Sequence, residues 1–525
     1  MKKGISALLA LILCLGCFTG CVGSIDNSAY VPTGDALLME GEDPAEETIA
    51  PDSQDLTLAY YPDRSMNPLY GSDYTNRVVM SLMYQGLFAV DSKNNTTPIL
   101  CSQYQVTPDN RTWTIYLEPN ATFSDGTRVT VQDVVASYEQ ARQNVYYKGR
   151  FTHIARVELS SDGGVDFFLD TPYQNLALLL DIPIVKASEV TADNPLGTGP
   201  YSLEDGIGGK HLQRVVGWCS SDDLVAKDSS IALVEAESPS QIRDEFEFSG
   251  LSVVCTNPQT DSYADYRCDF ELWEVDSGFM MYIGCNVTYS KFFDDGTLRT
   301  FLTYGIDRQT LVDDNYGGLA LPTTLPISPM SPYYSKSLAT NYDYDEMRFI
   351  DAASKFRVPT NDKGVPRTLQ LLVNSDDSAR LRCARNIAAT LTELGLACET
   401  VESPTSVYEA RLQAANYDIY LGITKLPTTA DLSEFYRPWG EMSWGGLANE
   451  TIYNMVNQSL ADRGNYYNLH KLVADDGRII PVMAGYYAIY AKRGVLSDLN
   501  PARDNVFYYT LGKTMESSKV ATQFS

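Results

Sequence analysis

Asp222-Asp223, Asp294-Asp295 and Asp475-Asp476 are the nearest this chain comes to a pair of catalytic carboxylates. A glycosidase needs two carboxyl groups facing each other across the scissile bond, about 5–9 Å apart. Adjacent residues on a loop do not face each other, so these pairs read as solvated surface. The sequence holds no GxSxG elbow, no HExxH helix and no GxxxxGK[ST] loop. Gly197-Thr-Gly199-Pro-Tyr-Ser202 lacks the third glycine of a dinucleotide fingerprint, and Pro200 would interrupt the helix that must follow. Asn341-Tyr-Asp343-Tyr-Asp345 lacks both the glycine and the terminal glutamate of a calcium loop. The three histidines, His153, His211 and His470, are too scattered for a metal centre. The residues therefore point to no catalytic group, no metal ligand and no cofactor.

Cys21 carries a different chemistry. Lys2 and Lys3 precede a short apolar run, Ile5 to Leu15, too short for a transmembrane helix of about 20 residues. Phe18-Thr-Gly-Cys21 then resembles the lipobox of bacterial lipoproteins, with Phe where Leu, Val or Ile is usual. Cys14-Leu-Gly-Cys17 is the rival site, after a shorter run. The resemblance implies a signal peptide over 1–20, removal of that peptide, and a diacylglycerol on Cys21. Residues 21–54 contain eight Asp or Glu and no Lys or Arg, the composition of a disordered acidic tether. The body is thereby placed at the cell membrane on its extracytoplasmic face, in the periplasm if the host is Gram-negative.

A body of this kind needs elements to position whatever it binds. With 525 residues, about three domains are expected. A hydrophobic content of 44% supports a large core. The net charge of −27 argues against nucleic acid as partner. Leu56 to Tyr61 reads as a first strand. Thr75 to Gln85 reads as a helix stopped by Gly86. Thr130 and Asp133 form a capping box for a helix with Val131, Val134, Val135, Tyr138 and Ala141 on one stripe. His153 to Asp170 reads as a hairpin about Asp162-Gly-Gly164. Leu369–Val373, Ala379–Leu394 and Leu396–Val401 make a βαβ unit, hence parallel pairing. Tyr417–Leu421 and the apolar run Ile479–Tyr490 complete a mixed α/β chain. Seven cysteines lie in the body, an odd number, and read as small buried apolar residues.

Seven segments in order resemble the family 5 extracellular solute-binding proteins of bacterial ABC importers, the oligopeptide, dipeptide and nickel class. They are Asn67-Pro-Leu69 with Leu82-Met-Tyr-Gln-Gly-Leu-Phe88; Trp113-Thr-Ile-Tyr-Leu117; Phe123-Ser-Asp-Gly-Thr127 with Asp133-Val134; Gly197-Thr-Gly-Pro-Tyr201; Gly284-Cys-Asn286 through Phe293-Asp-Asp295 to Tyr304-Gly-Ile-Asp-Arg308; Tyr316-Gly-Gly-Leu-Ala320; and Tyr417-Asp418. They span most of 55–490. Asp125-Gly126 reads as a turn, and Asp307-Arg308 as a helix and salt-bridge element. The resemblance implies a two-lobed periplasmic-binding-protein-like fold (type II, cluster C) with a ligand cleft between the lobes. Lobe I is expected over 55–275, with an extra subdomain about 76–190, and again over 485–515. Lobe II is expected over 276–484, with 516–525 a polar tail. The crossings fall at Asp276-Ser-Gly278 and Ala484-Gly485.

The same resemblance implies a peptide or other small-solute ligand, an ABC permease and ATPase as partners, and a monomer. By position, the ligand meets Tyr70, Gly71, Ser72 and Asp73; Tyr146 beside Tyr147; Gly422, Ile423, Thr424 and Lys425; and Tyr486. Trp439 and Trp444 stand in a loop suited to lining a pocket. Peptide-binding members hold the ligand's α-ammonium with an Asp, whose place falls near Leu426 here. The nearest acid is Asp431. Lys425 either faces a ligand carboxylate or is a solvated loop lysine. No His lies in these stretches, which disfavours nickel. An oligosaccharide ligand remains open, as does a non-transport role as a sensor or chaperone-like lipoprotein.

Overall fold

The computed structural model describes residues 55–70, 73–216, 229–258, 266–496 and 499–507. Cys21 and the leader, the tether, Gly71, Ser72, Asp222-Asp223 and the tail beyond 507 lie outside the described residues. Pro51–Ser525 forms one compact unit. Among the described residues, no helix is long and apolar enough to cross a membrane.

The chain opens with β1 (Thr57–Tyr60) and helix α1 (Tyr74–Met83). A short hairpin, β2 (Phe88–Val90) with β3 (Thr96–Pro98), leads to β4 (Cys101–Val106) and β5 (Thr112–Leu117). Helix α2 (Val131–Ala141) starts with the expected capping box: Thr130 Oγ1 accepts from Asp133 N and the Asp133 carboxylate from Thr130 N. Then come β6 (Ile154–Leu159) and β7 (Val165–Leu169), the expected hairpin. Strands β4-β5-β7-β6 form a separate antiparallel sheet.

The main sheet takes the rest: β8 (Tyr201–Gly206), β9 (Gly209–Arg214), β10 (Ser230–Glu235), β11 (Val253–Thr256), β12 (Phe270–Cys285), β13 (Leu321–Pro322), β14 (Leu369–Asn374), β15 (Cys398–Ser403), β16 (Ile419–Lys425) and β17 (Ile479–Lys492). Its order is β15-β14-β16-β12-β17-β11-β1-β10-β9-β8, with β13 on β17. β14 and β15 run parallel, joined by the helix Ser378–Glu393, as a βαβ unit requires.

The two long antiparallel strands β12 and β17 tie two cores together. The C-terminal half of β12 pairs with β16, Phe279 to Cys285 against Lys425 to Ile419. That half packs into a core of Ile283, Leu371, Val373, Ile387 and Leu391. The C-terminal half of β17 pairs instead with β11, beside a core of Tyr61, Phe246, Val254 and Tyr490. Between these halves the β12–β17 register breaks, between Asp276 opposite Tyr486 and Met280 opposite Ala484. The chain is thus two lobes of sheet and helix sharing two strands. Gly278 in the break has φ +78°, and a Cβ there would sit 2.5 Å from the Arg503 guanidinium and 2.6 Å from the Leu426 carbonyl. Gly278→Ala is expected to cost about 2 kcal/mol, read as a lowered melting temperature.

Two sequence expectations change. Helix α1 ends at Met83, with Tyr84 already extended, so Gly86 does not stop it. Gly86 instead lies against the Asp181 backbone, where a Cβ would stand 2.7 Å from the carbonyl carbon. Asp307 caps its helix, but Arg308 forms no salt bridge there; it donates to the carbonyls of Pro481, Thr303 and Ile306. Gly197 and Gly199 press onto the end of α1, and Gly199 N–H donates to the Met83 carbonyl. A Cβ at Gly197 would come within 2.1 Å of that same oxygen. Gly197→Ala is expected to destabilise by about 3 kcal/mol, because backbone on both sides has to move. A chemical-denaturation midpoint checks it. The six described cysteines are all free, and Cys101, Cys255, Cys285 and Cys383 are buried.

Candidate functional site

A cavity of about 1090 Å³ opens where the two lobes meet. One wall is the β1–α1 loop, with Tyr70 and Asp73, and the segment after α2, with Asn144 and Tyr146. The opposite wall is Phe279 of β12 and Lys425 of β16, with Tyr487 of β17 at the back. Tyr487 stacks on Tyr74, ring centroids 3.8 Å apart. Aromatic rings therefore dominate the lining, which suits apolar or planar parts of a ligand.

The described residues flanking Tyr70 are tied down by hydrogen bonds. Asn67 anchors it by donating to the carbonyls of Val190 and Ala192 and accepting from Leu69 N–H. Tyr147 donates to the Pro68 carbonyl at 2.9 Å. Asp73 caps α1 by accepting from Asn76 N–H, and its other oxygen pairs with Arg64.

Behind the cavity lies a cluster of buried charge. Asp504 is its centre: Arg77 and the Tyr146 hydroxyl donate to one oxygen, and Arg150 donates to the other at 2.5 Å. Arg150 also pairs with Asp181 at 2.6 Å, and Arg503 pairs with Asp276 at 2.5 Å. Burial would raise the Asp504 carboxyl, but Arg150, Arg77 and Lys425 hold it far below the usual carboxylate range. Burial wins at Asp181, which is pushed up to about 6 against the pull of Arg150. A second cavity, of about 420 Å³, lies on the far side of this cluster beside Trp273 and Leu499.

Lys425 completes the arrangement. Its Nζ is buried and has no hydrogen-bond partner. It lies 3.5 Å from the Tyr146 ring centre and 5.9 Å from that of Phe279. Burial, then the neighbouring Arg77, push its pKa well below the usual lysine value.

Distant segments are also tied together away from the cavity lining. His153, just before β6, has Nδ1 2.7 Å from Asp170 and Nε2 3.3 Å from Asp431 and 2.8 Å from Ser433 Oγ. Tyr173 donates to Thr429 Oγ1 at 2.7 Å, and Arg463 to Asn175 at 2.7 Å.

Residues 95–446 match the family described as bacterial extracellular solute-binding proteins, family 5. The chain belongs to that family. GsiB, a glutathione-binding protein of Escherichia coli O6:K15:H31 (strain 536 / UPEC), is 24% identical over 302 residues, 53% of this chain and 57% of GsiB. The chain thus matches a little over half the length of its curated relatives. A putative peptide-binding protein, AppA from Clostridium difficile, superposes with TM-score 0.69 at 15% identity, over 87% of this chain and 99% of AppA. The ABC transporter substrate-binding protein CtaP from Listeria monocytogenes gives 0.67 at 18%, over 87% and 98%. At such identities the likeness establishes the fold alone.

Of the family 5 contact positions named from sequence, Tyr70, Asp73, Tyr146 and Lys425 line this one cavity. Gly422 is buried, with a Cβ there 2.7 Å from the Tyr282 ring. Ile423 is exposed, Thr424 faces Met442, and none of these three lines the cavity. Three others lie elsewhere. Tyr486 packs into the core with Tyr490 and Ala59, because successive strand residues face opposite sides; its neighbour Tyr487 lines the cavity. Trp439, at φ +61°, is 96% exposed, since its loop turns outward there. Trp444 packs against the main core from a short turn, Trp444–Gly446. Sequence reasoning missed Arg77, Arg150, Arg503 and Asp504. They come from three distant segments, Arg503 and Asp504 being neighbours, and no spacing links the three.

Proposed function

We propose that the chain is the extracytoplasmic receptor of an ABC importer, capturing a peptide or related small solute between its lobes and delivering it to a membrane permease and its ATPase. The observation that carries this is the ring-lined cavity with one wall from each lobe. A ligand touching both walls favours the closed arrangement by its differential affinity. The register break at Asp276–Gly278, opposite Ala484–Tyr486, supplies the hinge in this reading: strands interrupted there can bend without unpairing either half. Its lobes are then 55–275 with 485–515, and 276–484. Glutathione binding by GsiB and the peptide designation of AppA support a short peptide-like solute.

Deleting the gene in its host is expected to abolish uptake of a labelled tripeptide mixture, and a plasmid copy to restore it. Uptake unchanged in the deletion strain contradicts a transport role and favours a sensor.

Cys21 is the anchor in the same proposal, with the acidic tether giving the receptor reach, as a monomer, to its permease. Cys21→Ala is expected to release the protein into the medium or periplasm and to abolish labelling by a palmitate analogue. Full membrane retention of that variant contradicts lipidation.

A further inference from the structure

We propose that this cavity selects its solute by negative charge, a carboxylate of the ligand pairing with the Lys425 ammonium beside the rings of Tyr146 and Phe279. The inference rests on reading the cavity as the solute site. It inverts the charge expected at this wall, where peptide-binding relatives place an acid for a ligand ammonium.

Four observations carry it. The Lys425 ammonium has three donors and no acceptor, although its Nζ is buried. An unpaired buried ammonium costs free energy that a methionine of similar length would not. Folding alone therefore gives no reason for a lysine here. The nearest carboxylate, Asp504, is already taken by Arg77, Arg150 and the Tyr146 hydroxyl. Counting the cluster, four basic groups (Arg77, Arg150, Arg503 and Lys425) stand against three carboxylates (Asp181, Asp276 and Asp504). Lys425 is the basic member without a partner acid, and its buried amine has no negative group to hold its proton until a carboxylate enters beside it.

The cavity itself cannot supply that acid. Asp73 is the one carboxylate among its described lining residues, and it is engaged in capping α1 and pairing with Arg64. The same engagement leaves no free carboxylate among the described lining residues to hold a ligand's α-ammonium. Lys425 lines the cavity with its Nζ over the Tyr146 ring, and its flexible four-carbon chain allows the amine to reach a ligand there. A carboxylate entering there meets an ammonium flanked by rings and screened from water, where a charge-assisted hydrogen bond is strong. The recognised chemistry is thus an organic carboxylate with no requirement for a neighbouring ammonium. A peptide C-terminus and a sugar acid both provide it.

Equilibrium dialysis of the full chain in mild detergent tests this with two matched pairs. One is N-acetyl-trialanine as acid and as amide; the other is galacturonate and galactose. The acid of at least one pair is expected to bind about 10- to 100-fold more tightly than its neutral partner. Which pair responds tells peptide end from sugar acid. Lys425→Met is expected to erase the difference and Lys425→Arg to keep most of it. The unliganded melting temperature of Lys425→Met should equal or exceed that of the natural chain, since no hydrogen bond is lost. Equal binding of acid and neutral partner, or discrimination that survives in Lys425→Met, overturns the anion site and leaves the solute reading standing. Binding of neither pair overturns both.

Discussion

Asp504→Asn is expected to unfold or loosen the protein more than any other conservative exchange around the cavity. The carboxylate receives Arg77, Arg150 and the Tyr146 hydroxyl, and Lys425 lies within its field. An amide keeps the shape but removes the charge, leaving the Arg77 and Arg150 guanidinium groups without their shared counter-ion. Breaking a buried pair in this way costs about 3–5 kcal/mol. For a body of this size that is a fall in melting temperature of about 3–5 °C. The pKa of Asp504 is depressed on folding, so its contribution is present above the usual carboxylate pKa and is lost only as pH falls below it. The full effect is therefore read at neutral pH. Adding Lys425→Met to Asp504→Asn should recover part of the loss, because one buried basic group without a partner acid goes with it; strict additivity would contradict the shared field.

The second large effect is a pH dependence of the His153–Asp431 contact. Burial alone would lower the pKa of His153, but Asp431, with hydrogen bonds to Asp170 and Asp431, lifts it from 6.5 to about 9. A pKa raised on folding means stability fully present below about 6.5 and lost as pH rises through about 9. Asp431 is held below the usual carboxylate pKa despite burial, so the acid limb of the pair is lost only at low pH. The shift corresponds to about 3 kcal/mol at most. Thermal melts from pH 6 to 9.5 should show falling stability in the natural chain. The fall should vanish in His153→Gln. A pH-independent natural chain, or the same slope in His153→Gln, contradicts a charged His153. Because His153 immediately precedes β6 and Asp431 follows β16, the pair fastens the β4-β5-β7-β6 sheet to the segment after β16.

Local order was readable wherever one stretch of chain determines it. The Thr130–Asp133 capping box, the hairpin about Asp162-Gly-Gly164 and the βαβ unit over 369–403 all follow from neighbours in sequence. Gly86 misled because a glycine serves equally as a helix stop and as a place for another backbone to pass. Here Asp181 passes. Arg308 misled because a buried guanidinium is satisfied as well by carbonyls as by a carboxylate. The site was readable in part. Motif order located Tyr70, Asp73, Tyr146 and Lys425, but Tyr486 stood in place of Tyr487, one residue away and hence on the opposite face. The charge cluster was not readable at all: Arg77 and Asp504 are 427 residues apart, and only the folded sheet brings them together.

Thermal melting of the full chain against a panel of short peptides, sugars, organic acids and metal chelates tests the account most directly. A solute that binds only the folded protein raises the melting temperature by mass action. The account predicts a rise with carboxylate-bearing peptides or sugar acids, lost in Lys425→Met. No rise with any member of the panel, or a rise of equal size in Lys425→Met, would contradict the cavity as a carboxylate-selecting solute site.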